Sequence, residues 1–146
     1  MSNRSVVIAM VEDDVGHARL IEKNLRRAGV DNELVSLTDG ASAMAFLFGP
    51  DGTALLNKGR PLLVLLDLNL PDMSGIEILK RVKENEHLGI TPVVVLTTTD
   101  DKSEIQRCYD LGCNVYVTKP VDYEKFANAI QQLGLFVSVM QVPTAA

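Results

Sequence analysis

Short apolar runs recur along this chain, and each hands over to polar or charged residues at its carboxyl side. Val6-Val7-Ile8-Ala9-Met10-Val11 runs into Glu12-Asp13-Asp14, and Leu62-Leu63-Val64-Leu65-Leu66 into Asp67. Val93-Val94-Val95-Leu96 ends at Thr97, and Val115-Tyr116-Val117-Thr118 at Lys119-Pro120. Runs of this length, separated by helical patterns, predict buried parallel strands. The predicted strands cover 5–12, 33–37, 62–67, 93–97 and 115–118. Between them apolar residues fall at helical spacing. Asp14 caps a helix carrying Ala18, Ile21, Leu25 and Ala28 and ended by Gly29. Asp39-Gly40 leads into a second with Ala41, Met44, Leu47 and Phe48. A third follows Gly75 to about Asn85, and a fourth from about Asp100 sets Ile105, Cys108, Tyr109 and Gly112 on one face. A last helix begins near Val121 or Asp122. Strand and helix alternate five times, which predicts an α/β fold, an open parallel sheet with helices on both faces.

In such sheets ligands bind beyond the carboxyl ends of the strands. If strands one, three and five are near neighbours, Glu12, Asp13, Asp67 and Lys119 meet at one end of the sheet. Three carboxylates together call for a cation, and a lysine beside them suits a phosphate. The constellation predicts a Mg²⁺-dependent phosphoryl site.

Composition narrows the field. At 146 residues the chain is expected to form one domain with a substantial core. A net charge of −5 argues against general nucleic-acid binding, and the basic stretch Lys23-Asn24-Leu25-Arg26-Arg27 reads as a solvated helix face. Cys108 and Cys113 fit no metal spacing and read as buried thiols of a reducing compartment. No signal peptide and no apolar run long enough for a membrane span is recognisable, so a cytoplasmic location is expected.

The acidic pair, Asp67, Thr97 and Lys119-Pro120 occur in order, each at a strand end, with 30 positions from Asp67 to Thr97 and 22 from Thr97 to Lys119. In this the chain resembles the receiver domain of two-component response regulators over about residues 5–132, with a helical extension at about 133–142. The resemblance implies a flavodoxin-like sheet of order 2-1-3-4-5. It makes Asp67 the phosphoacceptor, a role for which a carboxylate is a competent nucleophile. Glu12, Asp13, Asp67 and the backbone carbonyl of Asn69 would hold Mg²⁺. Lys119 would pair with Asp67 and then with the phosphoryl group, aimed by a cis Lys119–Pro120 peptide. Thr97 would be the switch hydroxyl and Tyr116 the aromatic residue that follows it. Asn69 and Thr99 would tune the lifetime of the phosphoryl group. His17 and His87 lack the setting of a phosphodonor and read as surface residues, so the donor is expected to be another protein, a histidine kinase.

Little chain remains after the fifth strand, so a stand-alone receiver without DNA-binding or cyclase output is expected. Two features depart from a minimal receiver: the long connection 49–61 and the apolar tail Leu133–Val142. Both look like stand-alone regulators of phytochrome-type histidine kinases, bacteriophytochromes included. Phe126, Ile130, Leu133 and Val137 share helical spacing and can face the sheet. That leaves Leu135, Phe136, Val139 and Met140 for an interface. A homodimer through helix four, strand five, helix five and the C-terminal segment is therefore expected, the tail folded back on its own domain being the other reading. The protein would catalyse only its own phosphorylation and dephosphorylation. A phosphorelay intermediate or phosphate sink is an alternative output, and a receiver-shaped module without phosphorylation another. An aspartyl-phosphate phosphatase is disfavoured, because Asn69 stands where such an enzyme needs an acid and no cap domain exists.

Overall fold

The computed structural model describes residues 6–27, 29–50, 61–98, 100–119, 124 and 128. The elements run β1 (Val7–Val11), α1 (Val15–Arg27), β2 (Leu34–Leu37), α2 (Gly40–Phe48), β3 (Leu62–Leu66), α3 (Gly75–Glu84), β4 (Val93–Thr97), α4 (Lys102–Asp110) and β5 (Val115–Thr118). Glu124 and Asn128 are helical. The predicted 49–61 connection falls largely outside the described residues, as do the Lys119–Pro120 peptide and the whole C-terminal tail.

The five strands form one sheet in the order β2-β1-β3-β4-β5, every pair parallel. This is the flavodoxin-like order expected. The three central strands are buried along their whole length, whereas β2 and β5, at the edges, are only partly so. Continuous apolar runs mark strands covered on both faces, and the more mixed runs mark edges.

Side chains alternate between two cores. Val7, Ala9 and Val11 of β1 join Val64, Leu66, Val93 and Val95 on one face, under Ala43 and Leu47 of α2, Ile78, Leu79 and Val82 of α3, and Cys108 of α4. Ile8 and Met10 join Leu63, Leu65, Val94 and Leu96 on the other, under Ile21 and Leu25 of α1. Each large aliphatic side chain fully buried here contributes about 1.5–3 kcal/mol. Two helical faces differ from expectation. Ala43 rather than the exposed Ala41 meets the sheet from α2, and Tyr109 and Gly112 lie outward while Cys108 alone is buried from α4. Both cysteines are buried and free, as expected.

Each of the helices α1 to α4 starts on a polar cap. Asp14 accepts the His17 N–H, Asp39 that of Ser42, Ser74 that of Ile76 and Asp101 that of Ser103. Gly29 and Gly112, at φ +88° and +107°, end α1 and α4. Beyond them the Val30 N–H donates to Leu25 O and that of Cys113 to Cys108 O, bonds from just past the glycine that close the helix end. Among the described residues no helix is long and apolar enough to cross a membrane.

Candidate functional site

The carboxyl ends of the strands converge as the sequence predicts, because the last ladder bonds fix the residues that follow. The Glu12 N–H donates to Leu37 O at 3.0 Å, the Asp67 N–H to Val11 O at 3.0 Å, and the Lys119 N–H to Thr97 O at 2.7 Å. Each functional side chain thus springs from a peptide still anchored to the neighbouring strand. Glu12, Asp13 and Asp67 each present an oxygen within 4.8 Å of the others. Glu12 and Asp67 are buried and Asp13 is exposed, so the cluster opens to solvent on the Asp13 side.

Lys119 stands inside this cluster. Its Nζ lies 2.5 Å from Glu12 Oε1 and 3.0 Å from Asp67 Oδ2, with all three side chains almost fully buried. Burial pulls the ammonium pKa down, but the hydrogen bonds and charges of Glu12 and Asp67 outweigh it, and the net shift is upward. Burial pushes the Glu12 carboxyl above the ordinary range, and the Asp67 charge adds to this. Hydrogen bonds from Lys119 and the Asp14 N–H oppose the rise without cancelling it. One ammonium against three carboxylates leaves the cluster net negative. Carboxylate oxygens at this spacing, partly open to water, are a donor set for a small hard cation that keeps several waters.

The connection from β3 to α3 is hydrogen-bonded into the site. The Asn69 N–H donates to Asp67 Oδ1 at 3.0 Å, and its side-chain amide donates to Thr97 Oγ1 at 3.1 Å and Thr98 Oγ1 at 3.4 Å. Thr97 is fully buried. Asn69 therefore links the Asp67 carboxylate to the Thr97 hydroxyl. The loop is held by an Asn69–Ser74 bridge and by the Gly75 N–H donating to Leu68 O. A Cβ at Gly75 would sit 2.4 Å from the Asp67 carbonyl oxygen, so only glycine lets α3 press on that peptide. From the same loop Asp72 accepts the N–H groups of Gly40 and Ala41 at 2.7 and 2.8 Å, capping α2.

Tyr116 is half-buried against the core on the α2–α4 side, and burial, with the nearby thiols and carboxylates, pushes its phenol up to about 12. Its N–H donates to the Tyr109 hydroxyl. Asp14 caps α1 as expected, rather than joining the metal-facing cluster. Thr99, Pro120, Leu135, Phe136, Val139 and Met140 lie outside the described residues. The sequence reading missed His17, whose Nδ1 is 3.2 Å from Lys119 Nζ. The available signal was position: the first turn of a helix that follows a strand end faces the same rim as that strand's last residues.

The profile of the response regulator receiver domain matches residues 8–131, nearly the whole chain. The chain belongs to the receiver domain family. It is 38% identical to response regulator Rcp1 of Synechocystis over 145 residues, which is 99% of this chain and 97% of Rcp1. The Mn²⁺-bound structure of Rcp1 superposes with a TM-score of 0.73 at 37% identity, covering 95% of this chain and 97% of that one. A receiver domain crystal structure from Rhodospirillum rubrum is 70% identical, with a TM-score of 0.78 and coverage of 94% and 97%. The phosphorylated cyanobacterial phytochrome response regulator RcpA is 36% identical, with a TM-score of 0.74 and coverage of 92% and 94%. Receivers are phosphoacceptor switches rather than enzymes in the ordinary sense, and they bind a divalent metal. The acidic cluster of this receiver fits that chemistry.

Proposed function

We propose that this protein is a response regulator, phosphorylated on Asp67 by a histidine kinase of the phytochrome type. The observation that carries the reading is the setting of the Asp67 carboxylate. One oxygen is held by the Asn69 N–H and the other by the Lys119 ammonium, with two further carboxylates beside it. An Asp67 oxygen forms the bond to phosphorus as the bond from phosphorus to the donor's histidine nitrogen breaks. The residues around it position the carboxylate and offset charge. Glu12, Asp13, Asp67 and the Asn69 carbonyl would hold Mg²⁺. When bound, that cation neutralises carboxylate and phosphoryl oxygens together. Lys119 supplies a compact positive charge that passes from Asp67 to a phosphoryl oxygen.

Thr97 is the switch hydroxyl in this reading, poised by its bond from Asn69, and Tyr116 follows it. Asn69 and Thr99 tune hydrolysis. The phytochrome assignment is supported by the likeness to RcpA over most of both chains. Relay to a further histidine protein, or use as a phosphate sink, is compatible with the same site.

The test is labelling of the purified full-length protein from acetyl phosphate with Mg²⁺, and from purified phytochrome-type kinases. An acid-stable, alkali-labile label is expected, and chelation should stop its formation. Asp13→Ala is expected to weaken Mg²⁺ binding at least tenfold and to slow labelling at sub-saturating metal, since a ligand charge is lost. Wild-type Mg²⁺ affinity in Asp13→Ala would remove that residue from the metal site. In a chase, substitutions at Asn69 should alter the decay of the label and spare its formation. Unchanged decay across several of them would end the lifetime role.

The signalling form is proposed as a homodimer through α4, β5, the following helix and the tail residues Leu135, Phe136, Val139 and Met140. A symmetric pair uses one patch twice. Sedimentation of Phe136→Asp, and of a chain ending at Gln132, is expected to give monomers. Wild-type sedimentation of both, still folded, would send the tail back onto its own domain.

A further inference from the structure

His17 is a surface residue, as expected, and its ring also reaches the site lysine. A lysine ammonium has three N–H donors and no acceptor. Those of Lys119 meet three acceptors: Glu12 Oε1 at 2.5 Å, Asp67 Oδ2 at 3.0 Å and His17 Nδ1 at 3.2 Å. His17 is not there by chance of a long side chain. Its own N–H donates to Asp14 Oδ1 at 3.0 Å, and the Asp14 N–H donates to Glu12 Oε2 at 3.1 Å. Glu12, Asp14, His17 and Lys119 therefore close a ring of hydrogen bonds between the end of β1, the first turn of α1 and the end of β5. Because the ammonium can only donate, the contact requires a lone pair on Nδ1 and places the imidazole proton on Nε2.

We infer that His17 is a positioning residue for Lys119: with Glu12 it anchors two of the three ammonium N–H groups, leaving the one aimed at Asp67 to turn to an arriving phosphoryl oxygen. Phosphorylation converts the Asp67 carboxylate into an acyl phosphate, so the acceptor of that one N–H changes while Glu12 and His17 do not. A lysine tethered at two points answers the change by pivoting rather than by searching a new rotamer. Part of the ordering cost is then met before the reaction. The inference rests on the reading of Asp67 as phosphoacceptor. The His17 side chain is 47% exposed, so water competes for the same N–H and the effect is bounded.

Two measurements test it on the full-length protein. Nitrogen-15 NMR of the imidazole at neutral pH is expected to show His17 with its proton on Nε2, and a proton on Nδ1 overturns the inference. His17→Leu is expected to slow labelling by acetyl phosphate at saturating Mg²⁺ by about threefold to tenfold, the worth of one partly exposed hydrogen bond to a charge. His17→Asn, whose carbonyl can take the Nδ1 position, should stay within about twofold of wild type. Mg²⁺ affinity should hold within about twofold in both variants, as no metal ligand is touched. A wild-type rate in His17→Leu, no rescue by Asn, or a large loss of Mg²⁺ affinity each overturns it. If the wild type itself takes no label, the phosphoacceptor reading fails, and the NMR result still decides whether His17 holds Lys119.

Discussion

Asp67→Asn is expected to bring stable phosphoryl labelling to background, the largest functional effect of any single change in this protein. The amide keeps the shape of the carboxylate but has a single acceptor oxygen, so it accepts from the Asn69 N–H or from Lys119 and not from both on separate oxygens. It has no anionic oxygen with which to attack phosphorus. The variant loses one of three clustered carboxylates, so the remaining Glu12–Lys119 pair keeps a buried charge balance and the fold should persist. Unfolding free energies from urea titrations that agree within about 1 kcal/mol would show that the loss is chemical rather than structural. Labelling of Asp67→Asn at full yield would remove Asp67 from the reaction. Binding of a fluoroberyllate mimic should fall in parallel, because that ligand also needs a carboxylate oxygen.

The second large effect concerns stability. Lys119→Met, measured without metal, is expected to destabilise the fold by about 3 kcal/mol. It strands Glu12 and Asp67 in the interior without their cation, and breaking a buried ion pair from one side costs about 3–5 kcal/mol. The low end applies because the Glu12 carboxyl, already raised by burial, can take up a proton. Mg²⁺ should recover part of the loss by supplying positive charge to the same oxygens. Urea unfolding with chelator and with saturating Mg²⁺ gives both numbers, and a metal-free variant as stable as wild type would refute the account. The lysine also sets an alkaline limit. Its folded pKa is raised, so its contribution is complete below the ordinary lysine value of 10.5 and is lost as pH climbs through the folded value. Lys119→Met should lack that alkaline loss.

The rim of the sheet shows how far a linear reading reaches. Strand positions were legible because each central strand is an unbroken apolar run, and burial on both faces leaves no other residue type tolerable there. The run ends mark where the protein stops being dry, so Glu12, Asp67, Thr97 and Lys119 announced themselves as rim residues. Asp14 could be read as a cap from its place alone, since a short acceptor before a helix has few other uses. Helix faces were less legible. In α2 nearly every residue is apolar, periodicity loses its contrast, and Ala41 and Ala43 cannot be told apart without the sheet.

By itself, then, the sequence determined the alternation of elements, the continuous-run strands and the set of rim residues, because hydrophobic pattern and capping are local in the chain. The resemblance already placed Lys119 beside Asp67, and tertiary structure alone decided the finer contacts. Lys119 reaches Glu12 across 107 positions and His17 across 102. Asp72 reaches Gly40 across 32. Gly75 matters only because the Asp67 peptide lies against it. Such contacts leave no periodic trace in the sequence. They arise from how parallel strands and crossover helices bring distant residues to one edge, and it is there that the acidic cluster acquires its lysine and the lysine its histidine.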